Sequence, residues 1–152
     1  MKQEDKELLL KELCARLPYK VICKVDNINF EGELREIGIS YNTARLYNVE
    51  GDESENVYVY DCKPYLFPLS NITEEQMEEL EELCTMYTPD DDYQPYAHMG
   101  IKVLYKHVLD DGYTFRLDFN TDVIDWLNKN HFDYNGLIEK GLAIDASNKN
   151  IY

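Results

Sequence analysis

The first hydrophobic pattern along the chain has a helical period. Residues 4–17 place leucines four residues apart, at Leu9, Leu13 and Leu17. Side chains three to four residues apart share one face of an α-helix, so this segment predicts an amphipathic helix that packs through its leucines. Pro18 follows directly and predicts the end of the helix, because proline cannot continue the backbone hydrogen-bond ladder.

From residue 20 the hydrophobic period changes to strict alternation, which is typical of half-buried strands. The alternating positions are Val21, Cys23, Val25, Phe30, Gly32, Leu34, Ala44, Leu46, Val57 and Val59. The segments are joined by turn-rich or polar stretches that are too short for a helical crossover, which favours antiparallel pairing. With KPYLFPL at 63–69 as a short fifth strand, residues 20–69 predict a small antiparallel sheet.

A second helix begins with a capping box. Thr73 can accept a hydrogen bond from the start of the helix, and Gln76 stands three residues later, where its side chain can reach back. Ile72 and Met77 occupy the two positions of a hydrophobic staple. The stripe predicted to be buried consists of Met77, Leu80, Leu83, Cys84 and Tyr87. The glutamates of this helix are therefore expected to face water.

The last third of the chain combines a loop, a hairpin and short elements. Residues 88–99 read as a loop or linker. Asp111 and Gly112 stand between two apolar-rich segments, which is a strong hairpin signal. Residues 123–127 predict a short helix, and LAIDA at 142–146 predicts a closing strand.

The elements together predict an α+β protein. An N-terminal helix packs on a small antiparallel barrel-like sheet, and an acidic helix, a hairpin and short helices follow. A chain of 152 residues is of single-domain size. We expect a helix and sheet in 1–69, an acidic helix and linker in 70–99, and a C-terminal element in 100–152 packed on the same domain.

Negative charge is concentrated in the middle of the chain. The net charge is −15, and residues 50–92 contain 14 acidic residues against one base, Lys63. Phosphate repulsion argues against direct binding of DNA or RNA. Two interpretations remain open for this segment: a solvated surface, or a docking surface for a basic partner.

The compartment is expected to be cytoplasmic. No apolar run is long enough to span a bilayer, and MKQEDKELLLKEL does not resemble a signal peptide. Cys14, Cys23, Cys62 and Cys84 form no CxxC pair and match no zinc spacing, so they are expected to be reduced thiols.

Catalytic and metal-binding motifs are not recognisable. The three histidines, His98, His107 and His131, are not spaced as metal ligands, and no nucleophile elbow, P-loop or HExxH motif occurs. The sequence therefore predicts a protein that is not an enzyme and that has no metal or cofactor.

Tyrosine is abundant, with 13 in the chain. If Val57 and Val59 face the core, Tyr58 and Tyr60 are exposed together on the opposite face of their strand. Tyrosine supplies a large contact area at low entropic cost, although strand packing explains its abundance equally well. The predicted partner-binding residues are Glu74, Glu75, Glu78, Glu79, Glu82, Tyr58 and Tyr60.

Residues 4–69 resemble the Sm-like and SH3-like small barrels. KVICKVDNINFEGEL opens the sheet, and Gly32 and Leu34 stand where the Sm pattern has a glycine and a leucine. The basic residue and glycine of the second Sm signature are missing, and residues 50–61 carry five acids instead. The RNA binding that this resemblance would imply is therefore not expected.

Three further segments resemble an uncharacterised family of short proteins from gut-dwelling anaerobic bacteria and their phages. They are KELLLKELCARLPYKVIC, KPYLFPLSNITEEQ and DWLNKNHFDYNGLIEKGLAIDA. The resemblance implies a phage or mobile-element context and transfers no site residues. The first hypothesis is thus a non-enzymatic protein that binds a host or element protein. The alternative function is that of a small-molecule-binding protein that sequesters a nucleotide signal. A homo-oligomer is a separate possibility for the assembly of the chain.

Overall fold

The computed structural model describes residues 1–85 and 121–152. The chain divides into two compact units, Met1–Pro68 with His131–Tyr152, and Leu69–Asn130. The loop predicted over 88–99 and the hairpin predicted around Gly112 lie outside the described residues.

Helix α1 spans Gln3–Arg16, close to its predicted bounds, and a 3-10 turn follows over Leu17–Tyr19. Leu9 and Leu13 are fully buried, as their spacing predicts. Leu17 is only half-buried, because the helix has already tightened into the turn that contains Pro18. All three predicted leucines thus pack on the core, Leu9 and Leu13 fully buried within α1 and Leu17 half-buried just after it.

Seven strands follow in the first unit. They are β1 (Ile22–Val25), β2 (Phe30–Gly38), β3 (Thr43–Tyr47), β4 (Ser54–Tyr58), β5 (Cys62–Pro68), β6 (Phe132–Asp133) and β7 (Ile144–Asp145). Their order in the sheet is β4-β3-β2-β1-β5-β6, with β7 also paired to β5. The first five strands pair antiparallel, whereas β6 and β7 run parallel to β5. The sheet is therefore mixed.

The α+β class is confirmed, but the barrel-like form of the sheet is not. In the described part of the chain, β4 pairs with β3 alone and β6 lies at the other end of the order, so the sheet is not closed. The predicted antiparallel sheet also gains two parallel strands from the C-terminal residues.

The alternation that predicted the strands matches their burial. Val21, Cys23, Val25, Leu34, Ala44 and Leu46 are all buried in one core. Gly32 is required by close packing, since a Cβ atom there would collide with the Tyr47 carbonyl. Asn29 and Asn42 end two 3-10 turns in the left-handed conformation, which asparagine tolerates better than most residues. Sequence period and turn chemistry therefore agree in this region.

The second unit contains the capped helix. Helix α2 spans Glu74–Thr85, and Gln76 donates its backbone N–H to Thr73 Oγ1 at 3.2 Å. Thr73 donates its own backbone N–H to Gln76 Oε1 at 3.1 Å, which completes the box. Met77 and Leu80 are buried. The predicted start is therefore confirmed, whereas of the predicted stripe Met77 and Leu80 are buried and Leu83 is only half-buried.

Helix α3 spans Thr121–Lys129, again as predicted. Val123 and Leu127 are buried, while Trp126 is half-buried and donates its indole N–H to Glu79 Oε2 at 2.9 Å. The single tryptophan thus reports on the contact between α3 and α2.

Replacing Thr73 with alanine is expected to lower the free energy of unfolding by roughly 0.5–2 kcal/mol. The change removes the hydroxyl that accepts the Gln76 backbone N–H. Urea unfolding followed by Trp126 fluorescence measures the effect in the unit that contains α2. Thr73→Ser keeps the cap and should retain the wild-type midpoint. An unchanged midpoint for Thr73→Ala would show that the cap contributes nothing.

Candidate functional site

The predicted acidic surface lies on α2. Glu74, Glu75, Glu78 and Glu79 are exposed, on the side of the helix away from the buried Met77 and Leu80. Glu82 belongs to the same helix, but its side chain is outside the described part.

The charge of this region has few compensating partners. Lys63, the one base between residues 50 and 92, lies in the first unit and pairs with Asp26 at 3.1 Å. Glu79 is engaged by Trp126, whereas no hydrogen bond or ion pair within the described ranges involves Glu74, Glu75 or Glu78. These three carboxylates are therefore available to a cationic partner.

The two predicted tyrosines have different environments. Tyr58 ends β4 and is 63% exposed. The chain then enters a 3-10 turn over Val59–Asp61, which breaks the alternation, so Tyr60 packs partly against the core with Lys6 Nζ 4.7 Å from its ring centroid. The expectation that both would be exposed together is wrong for Tyr60. Both tyrosines belong to the first unit, whereas the glutamates of α2 belong to the second.

The turn before β4 is fixed by one side chain. Asn48 Oδ1 accepts hydrogen bonds from the backbone N–H groups of Gly51 at 2.8 Å and Asp52 at 3.2 Å. Asn48 Nδ2 also donates to Asp52 Oδ1 at 2.6 Å. Val49 projects from this turn and is 87% exposed. The acidic loop thus presents an apolar side chain in a defined position.

The most unexpected feature is a buried ion pair on α1. Glu12 and Arg16 are 1% and 0% exposed, and Glu12 Oε2 accepts from Arg16 Nη2 at 3.0 Å. Arg16 Nη2 also donates to the Phe132 carbonyl at 2.8 Å, and Glu12 Oε1 accepts from Asn135 Nδ2 at 2.6 Å. The pair therefore attaches the C-terminal segment to α1.

The leucine pattern that predicted α1 did not single out Glu12 or Arg16. A signal was present in the spacing, since Glu12 lies three residues after Leu9 and Arg16 three residues after Leu13. Those intervals place both charges on the leucine face of the helix. Two residues of opposite charge that stand four positions apart on a buried helix face indicate a buried ion pair rather than a solvated one.

A histidine and a tyrosine stack beside this pair. The rings of His131 and Tyr152 are parallel within 11°, with centroids 3.8 Å apart. Burial first, and then the positive Arg16, lower the pKa of His131 to about 4. The Tyr152 hydroxyl donates to the Tyr65 carbonyl at 2.8 Å and accepts from the Ile22 backbone N–H at 3.2 Å. His131 is thus a neutral packing residue at physiological pH.

Tyr65 completes the polar network within the sheet. Its hydroxyl donates to Glu31 and accepts from Lys149 Nζ at 3.1 Å. Burial and the bond to Glu31 raise the pKa of Tyr65 well above its ordinary value. Each of these contacts joins segments far apart in sequence, which is the pattern of a structural network rather than of a reactive site.

One surface depression, of about 190 Å³, lies between β2, β3 and β4. Small-molecule sites usually enclose about 300–1,000 Å³. Arg45, the basic residue in its lining, pairs with Glu36 at 3.5 Å. This depression therefore gives no support to a nucleotide site.

The described residues contain neither a cluster of metal ligands nor a helix that could cross a membrane. Within residues 1–85 and 121–152, no three His, Cys, Asp or Glu side chains converge to hold a metal ion. In the same ranges, no helix has the length and apolar composition needed to cross a membrane. Comparison of the chain with protein-family models, curated proteins and solved structures gave no match.

Proposed function

We propose that this chain is a non-enzymatic, cytoplasmic interaction protein, encoded by a phage or other mobile element, that binds a basic host or element protein. The observation that carries the proposal is the exposed acidic face of α2, where Glu74, Glu75 and Glu78 project to solvent. Exposed charges of one sign raise the encounter rate with an oppositely charged partner. Tyr58 adds an exposed aromatic contact in the first unit.

Two resemblances support the setting of this proposal. The resemblance of three sequence segments to short phage and bacterial proteins favours a mobile-element origin. The second is the sequence resemblance of residues 4–69 to the Sm-like and SH3-like folds. Because the basic Sm signature is replaced by acids, the proposed partner is a protein rather than RNA.

The test compares three charge-neutralised positions with matched controls. Glu74→Gln, Glu75→Gln and Glu78→Gln together should reduce the association rate with the captured partner roughly tenfold, because long-range attraction is lost. The partner is identified by capture from the native host followed by mass spectrometry, and rates are then measured with the purified protein. Binding by the wild type should also weaken steeply with salt, since exposed charges are screened within about 8 Å at physiological ionic strength.

The matched control neutralises Glu4, Glu7 and Glu139, which are exposed elsewhere in the chain. It removes the same amount of charge and should leave the association rate within about twofold of wild type. Equal effects of the two triple variants would contradict a localised surface on α2. Unchanged protein capture combined with tighter binding of an anionic nucleotide would instead favour the ligand-binding alternative.

A further inference from the structure

β4 forms an edge of the described sheet. It pairs with β3 on one side and stands last in the strand order. Four of its five residues are exposed, and Val57 is half-buried. An edge strand offers backbone donors and acceptors that a further strand can use.

The pairing register of β3 and β4 shows which backbone groups of β4 point away from β3. Asn48 donates its N–H to the Glu53 carbonyl at 3.0 Å, and Val59 donates its N–H to the Asn42 carbonyl at 2.8 Å. Hydrogen-bonded positions alternate in an antiparallel ladder, so Glu55 and Val57 also direct their backbone groups towards β3. The backbone N–H groups that point away from β3 are those of Ser54, Asn56 and Tyr58.

The side chains along this edge are acidic at one end and apolar at the other. Glu55 lies opposite the buried Leu46, and Val57 lies opposite the buried Ala44, so both are on the core side of the sheet. Glu53 lies two residues before Glu55 and shares that side. A strand added to β4 would therefore place alternate residues beside Glu53, Glu55 and Val57.

The Tyr58 end of this edge is apolar. Ile39 and Tyr41, in the turn between β2 and β3, are 67% and 81% exposed, and Tyr58 lies near them at the end of β4. Natural edge strands are commonly blocked by charged side chains, proline or a bulge. The glutamates Glu53 and Glu55 oppose the addition of an acidic strand here but not of a basic one. Residues 48–58 contain no lysine, arginine or proline.

We propose that β4 is a strand-addition site for an extended basic segment of a partner protein. That segment carries lysine or arginine beside Glu53 and Glu55 and an apolar residue beside Val57. Charge complementarity selects this occupant, since a second copy would bring two acidic strands together and like charges across a ladder are destabilising. The inference rests on the proposed function only in taking the partner to be a basic protein.

The test uses a labelled synthetic peptide of about seven residues, in which one valine and two lysines alternate with threonine. Both chain directions are synthesised, because the strand can add parallel or antiparallel. Fluorescence anisotropy should show at least tenfold tighter binding by one of them than by a peptide of the same composition with adjacent lysines. Equal affinity of the alternating and rearranged peptides would overturn the proposal.

Backbone recognition is tested by amide hydrogen exchange at peptide saturation. Protection should increase at least tenfold at Asn56 and at its outward-facing neighbours in β4, because their N–H groups gain acceptors. The Glu55 and Val57 amides already point towards β3 and should change little. Protection elsewhere but not at Asn56 would overturn the proposal.

Asn56→Pro removes the central outward N–H and should weaken peptide binding at least tenfold, whereas Asn56→Thr retains that N–H and should bind within about threefold of wild type. A peptide N-methylated at the amides that face β4 gives the same test on the folded wild-type protein and should not bind. The proposal would be overturned if the peptide bound both Asn56 variants equally and the methylated peptide also bound the wild type. Concentration-dependent dimerisation that Asn56→Pro abolishes would also overturn it.

The variant that neutralises Glu74, Glu75 and Glu78 separates the two proposals. If it binds the peptide normally and its capture of the partner is unchanged, only the α2 surface is rejected. If it loses capture of the partner and the peptide does not bind the protein, only strand addition is rejected.

Discussion

Arg16→Met is expected to lower the free energy of unfolding by about 3–5 kcal/mol. The substitution leaves the Glu12 carboxylate buried without its cation, and it removes the donor to the Phe132 carbonyl. Glu12→Leu should be destabilising for the corresponding reason, because it leaves the guanidinium uncompensated. Chemical denaturation followed by circular dichroism measures both effects.

The double variant Glu12→Leu with Arg16→Met provides the decisive comparison. Removing both charges together avoids the isolated buried ion, so its loss should be smaller than the sum of the two single losses by at least about 1 kcal/mol. The remaining cost reflects the loss of the Arg16 donor to the Phe132 carbonyl and of the Glu12 acceptor for the Asn135 amide. Strict additivity would mean that the two side chains do not depend on each other.

Acidification is expected to destabilise the first unit through His131. Its pKa is about 4 in the folded protein and about 6.5 when unfolded, so between these values the unfolded chain binds more protons. Stability therefore falls as pH falls from about 6.5 to about 4, by roughly 2 kcal/mol between pH 7 and pH 5 and about 3 kcal/mol in full. Urea unfolding at a series of pH values measures this slope.

His131→Asn supplies the control for the histidine. Asparagine tolerates the left-handed conformation of this position, where φ is 57°, and it does not titrate in this range. The variant loses the packing on Tyr152, so its stability at pH 7 is lower, but its slope between pH 7 and pH 5 should be shallower than that of wild type. Parallel slopes would assign acid sensitivity to carboxylates instead.

The elements that sequence reasoning located are those with local causes. The four-residue leucine spacing positioned α1, the alternation from Val21 to Leu46 positioned the first three strands, and Thr73 with Gln76 marked the start of α2. Each signal depends on residues within a few positions of one another, where backbone geometry alone decides which side chains share a face. The exposure of the described α2 glutamates followed from the same rule.

The candidate surface was predictable only in part. The glutamates of α2 are exposed as the helical stripe requires, but Tyr60 is not, because the strand ends at Tyr58 and a 3-10 turn reorients the next residues. Alternation was extrapolated across that boundary, and nothing in the sequence marked the change of backbone conformation.

Tertiary structure alone decided how the two ends of the chain meet. Arg16 and the Phe132 carbonyl are 116 positions apart, and β6 and β7 join β5 in parallel from the far end of the sequence. A single sequence holds no periodicity across such distances. Whether a charge such as Glu12 can be buried also depends on the partners that folding brings to it, since an unpaired buried charge is costly. The sequence therefore determined the individual helices and strands, whereas long-range packing determined the polar network and left β4 at the edge of the described sheet.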